Sequence, residues 1–324
     1  MRHTTLGSSA VPVTGLSFGA AGIGNLYTPV TTEQAAAAID AAWDASIRYF
    51  DTAPHYGLGL SERRLGEALR ARDRDSYTLS TKVGRLLEPL PDTGEALDDG
   101  FAVPATHRRV WDFSADGIRR SIGESLERLG LDRIDVAYLH DPDDHENEAF
   151  EQAYPALERL RAEGVVGAIG AGMNQTKMLT RFLRDTDVDT VLCAGRFTLL
   201  DQSALTELLP EASARGKSVV VGGVFNSGLL ADPRPGATYD YAAAPASLLD
   251  RALRMDAVTR RHGLPVRAAA LHYPLRHPAV ASVLVGTRSA DEVRDTAELM
   301  ARPVPDDLWS ELRAEGLLPG DGAL

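Results

Sequence analysis

The chain of 324 residues is predicted to be an α/β protein folded as one domain, a single (β/α)8 barrel spanning residues 1–324. Strand-like and helix-like hydrophobic patterns alternate from end to end, which indicates βα units around a parallel sheet. Roughly eight strands can be counted, the number that closes a TIM barrel. A doubly wound sheet is the alternative, but no Gly-x-Gly-x-x-Gly follows the first strand and no Pro/Ser-rich linker divides the chain.

The first half of the chain contains four predicted strands and start signals for the helices between them. Thr31 and Gln34 have the spacing of a capping box at the start of the first helix. Ser61 and Ser114 are predicted to cap the next two helices, and Gly130 to end the second of these. In order, the predicted elements are strand 16–19, helix 31–45, strand 47–51, a helix from 61 through 69, strand 77–82, helix 114–129 and strand 134–140.

The second half continues the alternation and ends with a helix. The predicted elements are helix 150–160, strand 165–170, helix 175–184, strand 188–194, helix 204–214, strand 218–221, helical stretches 248–262 and 266–275, strand 281–285 and helix 289–300. Two connections are unusually long, residues 86–113 and 225–246. Long loops in a compact domain are usually lids or binding elements, or else disordered, and in a barrel both would lie on the C-terminal, catalytic face.

Composition argues against several classes of partner. With 34 basic and 46 acidic side chains the formal net charge is −12, so a nucleic acid or an anionic membrane would be repelled on average. No apolar segment is long enough to span a bilayer and residues 1–5 do not lead into a signal peptide, so a cytoplasmic protein is the simplest interpretation. The single Cys193 allows no internal disulfide and no cysteine-based zinc site, and no metal is predicted.

Four chemically active side chains stand at or just after the ends of three successive strands. Asp51 ends one strand and Tyr56 follows it, Lys82 ends the next strand, and His140 ends the one after that. Because the strands of a parallel barrel point the same way, their ends converge on one rim. These four residues are therefore predicted to be neighbours.

This set of residues is suited to proton transfer. A free tyrosine has a pKa of about 10, and an ammonium about 4 Å away could lower it by a few units. We predict that Tyr56 is the general acid/base, that Lys82 tunes it, that Asp51 keeps Lys82 charged, and that His140 orients a carbonyl or hydroxyl oxygen. The set offers no strong nucleophile, so it suits a reaction whose other half, such as hydride transfer, comes from a cofactor.

The motifs that carry these residues resemble those of the aldo-keto reductases. Segments 50–57 (FDTAPHYG), 80–82 (STK) and 139–142 (LHDP) are similar to the three motifs that hold the family's Asp, Tyr, Lys and His tetrad. The resemblance covers nearly the whole chain and implies a (β/α)8 barrel, an extended nicotinamide cofactor across the C-terminal rim and reversible carbonyl–alcohol chemistry. Segments 61–66, 195–200 and 224–230 look most like the aldose 1-dehydrogenase branch (L-fucose and D-threo-aldose dehydrogenases), with pyridoxal 4-dehydrogenase as a near relative.

The same resemblance implies which residues contact the cofactor. Residues 225–228 resemble a pyrophosphate-binding loop with main-chain donors, and residues 286–292 align with the segment that grips the adenosine ribose. Gly286 and Glu292 stand where NADP-dependent members often have Lys and Arg, so NAD is preferred to NADP, although Arg288 could still receive a phosphate. The predicted cofactor contacts are Gly19, Asp51, Asn174, Gly222, Phe225, Asn226, Ser227, Gly228, Leu230, Gly286, Thr287, Arg288, Glu292 and Asp295.

The predicted partner is a small-molecule substrate, a sugar or another polar aldehyde or alcohol. The predicted substrate contacts are His55, Tyr56, Trp111, His140 and Arg196, with Trp111 equally compatible with packing in a lid. The favoured reaction is oxidation of the C1 hydroxyl of an aldose to a lactone. The alternatives are a pyridoxal 4-dehydrogenase-like activity, a general aldehyde or ketone reductase, and a non-catalytic protein that senses the cofactor.

Overall fold

The computed structural model describes residues 1–91, 96–240 and 242–320. Eight strands pair in parallel, each with the next along the chain, and the last pairs with the first through Val285 and Phe18 to close a barrel. The (β/α)8 prediction is confirmed, and the doubly wound alternative is wrong. The strands are β1 Leu16–Gly19, β2 Tyr49–Asp51, β3 Thr78–Val83, β4 Val136–His140, β5 Ala168–Met173, β6 Thr190–Ala194, β7 Ser218–Gly222 and β8 Val280–Gly286.

Helices follow the strands and pack against them. They are α1 Thr32–Asp44, α2 Leu60–Leu69, α3 Ala115–Leu129, α4 Tyr154–Ala162, α5 Thr176–Asp185, α6 Leu208–Ala214, α7 Ala246–Arg261, α8 Val266–His272, α9 Ala290–Ala301 and α10 Asp306–Ala314. The predicted capping box is confirmed, since Gln34 N donates to Thr31 Oγ1 at 3.1 Å. Ser114 caps α3 by accepting from Gly117 N, and Gly130 ends it with φ of 63°.

Three of the predicted boundaries differ from those in the structure. Ser61 does not cap α2, because its hydroxyl lies inside the first turn and donates to Ala20 O at 2.8 Å. The fifth strand was predicted at residues 165–170, but β5 is Ala168–Met173 because Val165 still belongs to the end of α4, where its amide donates to Leu160 O. The helix predicted from residue 266 to 275 ends at His272 and continues as a 3-10 turn.

Apolar side chains fill the inside of the barrel. Its lower end is closed by an N-terminal hairpin, His3–Thr5 paired with Pro12–Thr14, which the hydrophobic pattern did not predict. Leu6 is completely buried in this inner core. The cluster comprises Leu6, Val11, Val13, Tyr49, Val136, Tyr138, Ala168, Leu192, Val220, Ala281 and Leu284.

Both long connections carry paired strands above the C-terminal rim. In the first, Arg85–Pro89 pairs with His107–Trp111 to form an antiparallel hairpin, and a bridge between Leu26 and Phe101 joins this connection to the loop after β1. In the second, Thr238–Tyr239 pairs with Ala242–Ala243. Among the described residues, no helix is both long and apolar enough to cross a membrane.

Candidate active site

Three of the four tetrad side chains form one hydrogen-bonded group at the rim. Lys82 Nζ donates to Asp51 Oδ2 at 2.6 Å, to Tyr56 Oη at 3.0 Å and to the carbonyl of Thr52 at 3.0 Å. Ser80 Oγ donates to the other carboxylate oxygen of Asp51 at 2.7 Å. The side chains of Lys82 and Asp51 are only 3% and 2% exposed, so this is a buried ion pair with one tyrosine hydroxyl at its edge.

The strand register explains how these residues meet. Asp51 of β2 pairs with Ser80 of β3, and Lys82 pairs with Tyr138 of β4. His140 ends β4, and its ring centroid lies 5.9 Å from that of Tyr56 in an edge-on arrangement. The structure therefore brings all four residues together on the C-terminal rim.

Electrostatics favour a charged lysine and a protonated tyrosine. Burial alone would lower the pKa of Lys82, but Asp51 and Tyr56 outweigh it and raise that pKa above its ordinary value. The pKa of Tyr56 is raised because burial disfavours the phenolate more than Lys82 stabilises it. The predicted lowering of the Tyr56 pKa is thus wrong for this structure, since Lys82 opposes the effect of burial but does not exceed it.

The two histidines at the site are neutral at pH 7. Burial, followed by the charge of Arg85, holds the pKa of His140 well below its usual range and lowers that of His55 to about 3. A neutral imidazole has one donor nitrogen and one acceptor nitrogen. His140 can therefore orient a substrate oxygen without adding charge.

A cleft of about 950 Å³ opens beside Tyr56 and Lys82 and extends to the start of α9. Its wall contains most of the predicted cofactor contacts, namely Gly19, Asp51, Asn174, Gly222, Phe225, Asn226, Ser227, Gly228, Gly286, Thr287, Arg288, Glu292 and Asp295. Leu230 is the exception, because it does not line the cleft. Its side chain is fully buried in the core, and its amide donates to Phe225 O.

The cleft suits a nicotinamide dinucleotide in size and in chemistry. Asn226 Oδ1 and Thr287 Oγ1 are buried in its wall without a hydrogen-bond partner among the described residues, so each can bond a ligand. The loop at 225–228 turns through left-handed conformations, with φ of 47° at Asn226 and 102° at Gly228. The amides of these two residues already donate to carbonyls of the same turn, so the loop offers fewer free main-chain donors than predicted.

Both signs of charge meet at the far end of the cleft. Glu292 Oε2 accepts from Arg288 N at 2.8 Å, and the guanidinium of Arg288 donates to Thr28 Oγ1 at 2.7 Å. Asp295 is paired with Arg267, a cleft residue that no sequence signal indicated. Two carboxylates and two guanidinium groups are thus available to a ribose or to a phosphate.

The predicted substrate contacts fall into two groups. His55 lies beside the tetrad, with its ring centroid 5.6 Å from that of His140. Trp111 is 43% exposed and stacks on Phe113 at 5.8 Å. The guanidinium of Arg196 is paired with the second long loop, since its Nη2 donates to Asp240 at 2.9 Å. This contact joins the end of β6 to that loop.

Sequence reasoning missed several polar side chains around Tyr56. Arg85 forms an ion pair with Asp141, and Arg109 forms a bidentate one with Asp98. Arg85 and Asp141 stand just beyond strands that carry tetrad residues, and only these positions indicated that they lie near the site. Phe101 packs edge-on against His55, with ring centroids 5.3 Å apart. It lies in the middle of the long connection, where no sequence pattern indicated a contact with the site.

A buried lysine–aspartate pair that contacts a tyrosine at the C-terminal rim of a (β/α)8 barrel, next to a dinucleotide-sized cleft, defines an NAD(P)-dependent oxidoreductase. Residues 15–315 match the Aldo/keto reductase family, and the chain belongs to that family.

Named relatives span almost the entire chain. It is 48% identical to a D-threo-aldose 1-dehydrogenase of Pseudomonas sp., covering 96% of this chain and 97% of the relative. It is 41% identical to a pyridoxal 4-dehydrogenase of Microbacterium luteolum, covering 97% of each. Among solved structures, an aldo-keto reductase from Bacillus halodurans in its holo form superposes with a TM-score of 0.76 at 27% identity, covering 97% of this chain and 96% of that one.

Proposed function

We propose that the protein is an NAD-dependent dehydrogenase that oxidises the C1 hydroxyl of an aldose to a lactone. The observation that carries the proposal is the contact of Lys82 Nζ with both Asp51 Oδ2 and Tyr56 Oη, within 3.0 Å. That arrangement is suited to removing a proton from an alcohol oxygen. The 48% identity to a D-threo-aldose 1-dehydrogenase supports an aldose as the alcohol.

In the proposed reaction each tetrad residue has one task. Tyr56 Oη takes the proton of the C1 hydroxyl, and the Lys82 ammonium stabilises the phenolate that makes this possible. Asp51 keeps Lys82 charged, and neutral His140 hydrogen-bonds the substrate oxygen. A nicotinamide cofactor held in the cleft would supply the acceptor for the hydride that leaves C1.

The decisive variant is Tyr56→Phe, which removes the hydroxyl but keeps the ring. We expect the turnover number to fall by a factor on the order of 10²–10⁴, the usual contribution of a general acid/base. Cofactor affinity, measured by fluorescence titration, should change less than about twofold because only the phenol oxygen is lost. A Tyr56→Phe protein with wild-type turnover would overturn the proposal.

The pH profile of the wild-type protein gives a second test. Oxidation needs the deprotonated phenol and reduction needs the protonated one, so the raised pKa of Tyr56 makes oxidation accelerate from neutral to alkaline pH. Reduction should stay nearly constant until the pH approaches that raised pKa, because the phenol remains protonated below it. Rates of both directions measured between pH 6 and pH 10 check this, and parallel profiles would exclude Tyr56 as the shared acid/base.

For the cofactor we propose NAD rather than NADP. The Glu292 carboxylate lies in the ribose-binding segment, where it repels a 2′-phosphate and can accept a hydrogen bond from a free 2′-hydroxyl. Steady-state kinetics should give a higher kcat/KM with NAD than with NADP. The reverse order would reject the cofactor preference and leave the aldose reaction untouched.

A pyridoxal 4-dehydrogenase-like activity is the second candidate, supported by the 41% identity to such an enzyme. A reductase of simple aldehydes is the third. One panel of substrates separates the three candidates. L-fucose, D-arabinose and pyridoxal are each tested with NAD, and simple aldehydes are tested with NADPH. The absorbance of the reduced cofactor measures the rate in every case. The highest kcat/KM on a sugar supports the main proposal, and the highest on pyridoxal or a simple aldehyde replaces it.

A further inference from the structure

An ion pair outside the cofactor cleft links the tetrad to an exposed aromatic ring. Arg85 Nη2 bonds Asp141 Oδ2, and the same carboxylate oxygen lies 3.7 Å from His140 Nε2. On its other side the guanidinium of Arg85 sits 4.2 Å from the centre of the Trp111 ring. His140, Asp141, Arg85 and Trp111 thus form a continuous polar and aromatic surface beside the reacting phenol.

Several buried polar atoms in this surface have no hydrogen-bond partner among the described residues. They are His55 Nδ1, His140 Nδ1 and Arg85 Nε. A buried polar atom without a hydrogen-bond partner is destabilising, so such a concentration at one place calls for a functional reason. Asp141 itself remains accessible, because its side chain is 36% exposed while that of Arg85 is 13% exposed.

We propose that Arg85 and Asp141 form a subsite for the hydroxyl groups of the substrate next to the oxidised carbon, with Trp111 as the flat wall of that subsite. The proposal rests on the aldose dehydrogenase function. A carboxylate accepts from hydroxyl groups and a guanidinium donates to them, so adjacent sugar hydroxyls can bond both partners. The indole offers an apolar surface to the C–H face of the sugar.

The position of the pair fits recognition of neighbouring hydroxyls better than recognition of the reacting one. Tyr56 and His140 already serve the oxygen at C1, and Asp141 is the next residue after His140. Its amide donates to Gly172 O at 3.0 Å, which anchors the backbone of Asp141, and Arg85 holds its carboxylate. In the proposed subsite, a substrate oxygen bonded to His140 brings the neighbouring hydroxyls near Asp141, whose carboxylate oxygen lies 3.7 Å from His140 Nε2.

The subsite can be tested with Asp141→Asn and Arg85→Lys. Asp141 has φ of 42°, a conformation that asparagine also tolerates, so Asp141→Asn removes charge with little backbone strain. Arg85→Lys keeps the charge and removes the fork of donors. The matched control is Arg108→Gln, which breaks the exposed ion pair with Glu88 on the same hairpin.

The measurement compares kcat/KM for the best aldose with that for its 2-deoxy and 3-deoxy analogues. In the wild type, loss of the recognised hydroxyl should lower kcat/KM by a factor on the order of 10–100, as expected for one charge-assisted hydrogen bond. In Asp141→Asn and Arg85→Lys this preference for the parent sugar should nearly vanish. In Arg108→Gln it should equal the wild-type value.

The outcomes separate this inference from the function on which it rests. A wild type that oxidises no aldose overturns both. A wild type that prefers the parent aldose, with variants that keep the same parent-to-deoxy ratio, overturns the subsite alone. Equal losses on all three sugars also overturn it, because a pair that only holds the hairpin would act that way. Calorimetric binding of the lactone product to each variant, with a thermal melt, gives a readout that does not depend on turnover.

Discussion

His55 illustrates how strongly the protein interior controls a single side chain. Its ring packs against Phe101 and His140, and Arg109 Nη2 donates to its backbone carbonyl at 3.2 Å. Burial and three nearby cations, Arg85 first, lower its pKa to about 3. His55 was predicted only as a substrate contact. In the folded protein it is also a titratable group that is held in its neutral form.

This neutral form makes stability depend on pH. Between pH 6.5, where an unfolded histidine titrates, and about pH 3, where folded His55 does, the unfolded state binds a proton that the folded state does not. The free energy of unfolding should therefore fall as the pH is lowered, by at most about 1.4 kcal/mol per pH unit for this residue. In His55→Phe, the free energy of unfolding should fall less steeply as the pH is lowered, by up to the same amount per pH unit.

Urea unfolding of the wild type and of His55→Phe at pH 7.5, 6 and 5 measures the two slopes. His140, which is also held neutral, remains in both proteins, so an acid-dependent loss persists in the variant. Identical slopes for the two proteins would show that folding leaves the pKa of His55 unchanged.

At the residue scale, sequence reasoning could find side chains at strand ends but not their surroundings. Asp51, Lys82 and His140 were predictable as neighbours because parallel strands align their ends. The direction of the Tyr56 pKa was not, because it depends on how deeply the phenol is buried, and part of its cover is Phe101. That contact joins residues 45 positions apart, beyond the reach of any local pattern.

At the element scale, β5 depends on a glycine that lets it pack closely against β6. A Cβ on Gly170 would lie 2.1 Å from the carbonyl oxygen of Thr190 in β6, so only glycine lets the two strands approach there. Glycine has a low strand propensity, and β5 contains both Gly170 and Gly172. The contact between strands overrides the propensity, and β5 continues to Met173.

Two glycine-to-alanine substitutions should have opposite effects on stability. Gly170→Ala forces the backbones of β5 and β6 apart and should destabilise the protein by about 1–3 kcal/mol or more. Gly123→Ala lies on the exposed face of α3 with nothing within 4 Å of the added methyl group, and should stabilise it by about 0.5–1 kcal/mol. Urea midpoints give both values. A Gly170→Ala protein as stable as the wild type would contradict the packing described for β5.

The long connections were predictable in place but not in structure. Their length and their position after strands pointed to the catalytic rim. The pairing of Arg85 with Trp111 joins residues 26 positions apart, much farther than a tight turn spans, so the hairpin could not be read from local sequence. That hairpin brings Trp111 over Arg85 and thereby creates the surface proposed to bind sugar hydroxyls.

At the scale of the whole molecule, the two ends of the barrel have different tasks. The C-terminal rim gathers polar and charged groups from β2, β3 and β4, where Lys82 and Asp51 are buried at a cost that their pairing offsets. The opposite end is closed by apolar side chains of the N-terminal hairpin.

The hairpin is seated firmly at the lower end. Gly7 N donates to Ser218 Oγ at 2.8 Å, and a Cβ at Gly7 would lie 2.2 Å from Asp189 O. Both partners stand where β6 and β7 begin, so the turn after the first hairpin strand lies directly against the barrel. Leu6, one residue earlier, is fully buried among the inner side chains.

Leu6→Ala should therefore act as a core substitution although it lies near the start of the chain. We expect a loss of about 2–5 kcal/mol in the free energy of unfolding, because the fully enclosed site leaves a cavity when the side chain shrinks. The matched control, Leu253→Ala on α7, removes a side chain that is 44% exposed and should change stability by less than about 0.5 kcal/mol. Turnover of Leu6→Ala, measured well below its melting temperature, should stay near the wild-type value since the tetrad lies at the other end. Urea unfolding that ranks the two variants equally would mean that the hairpin is not part of the barrel core.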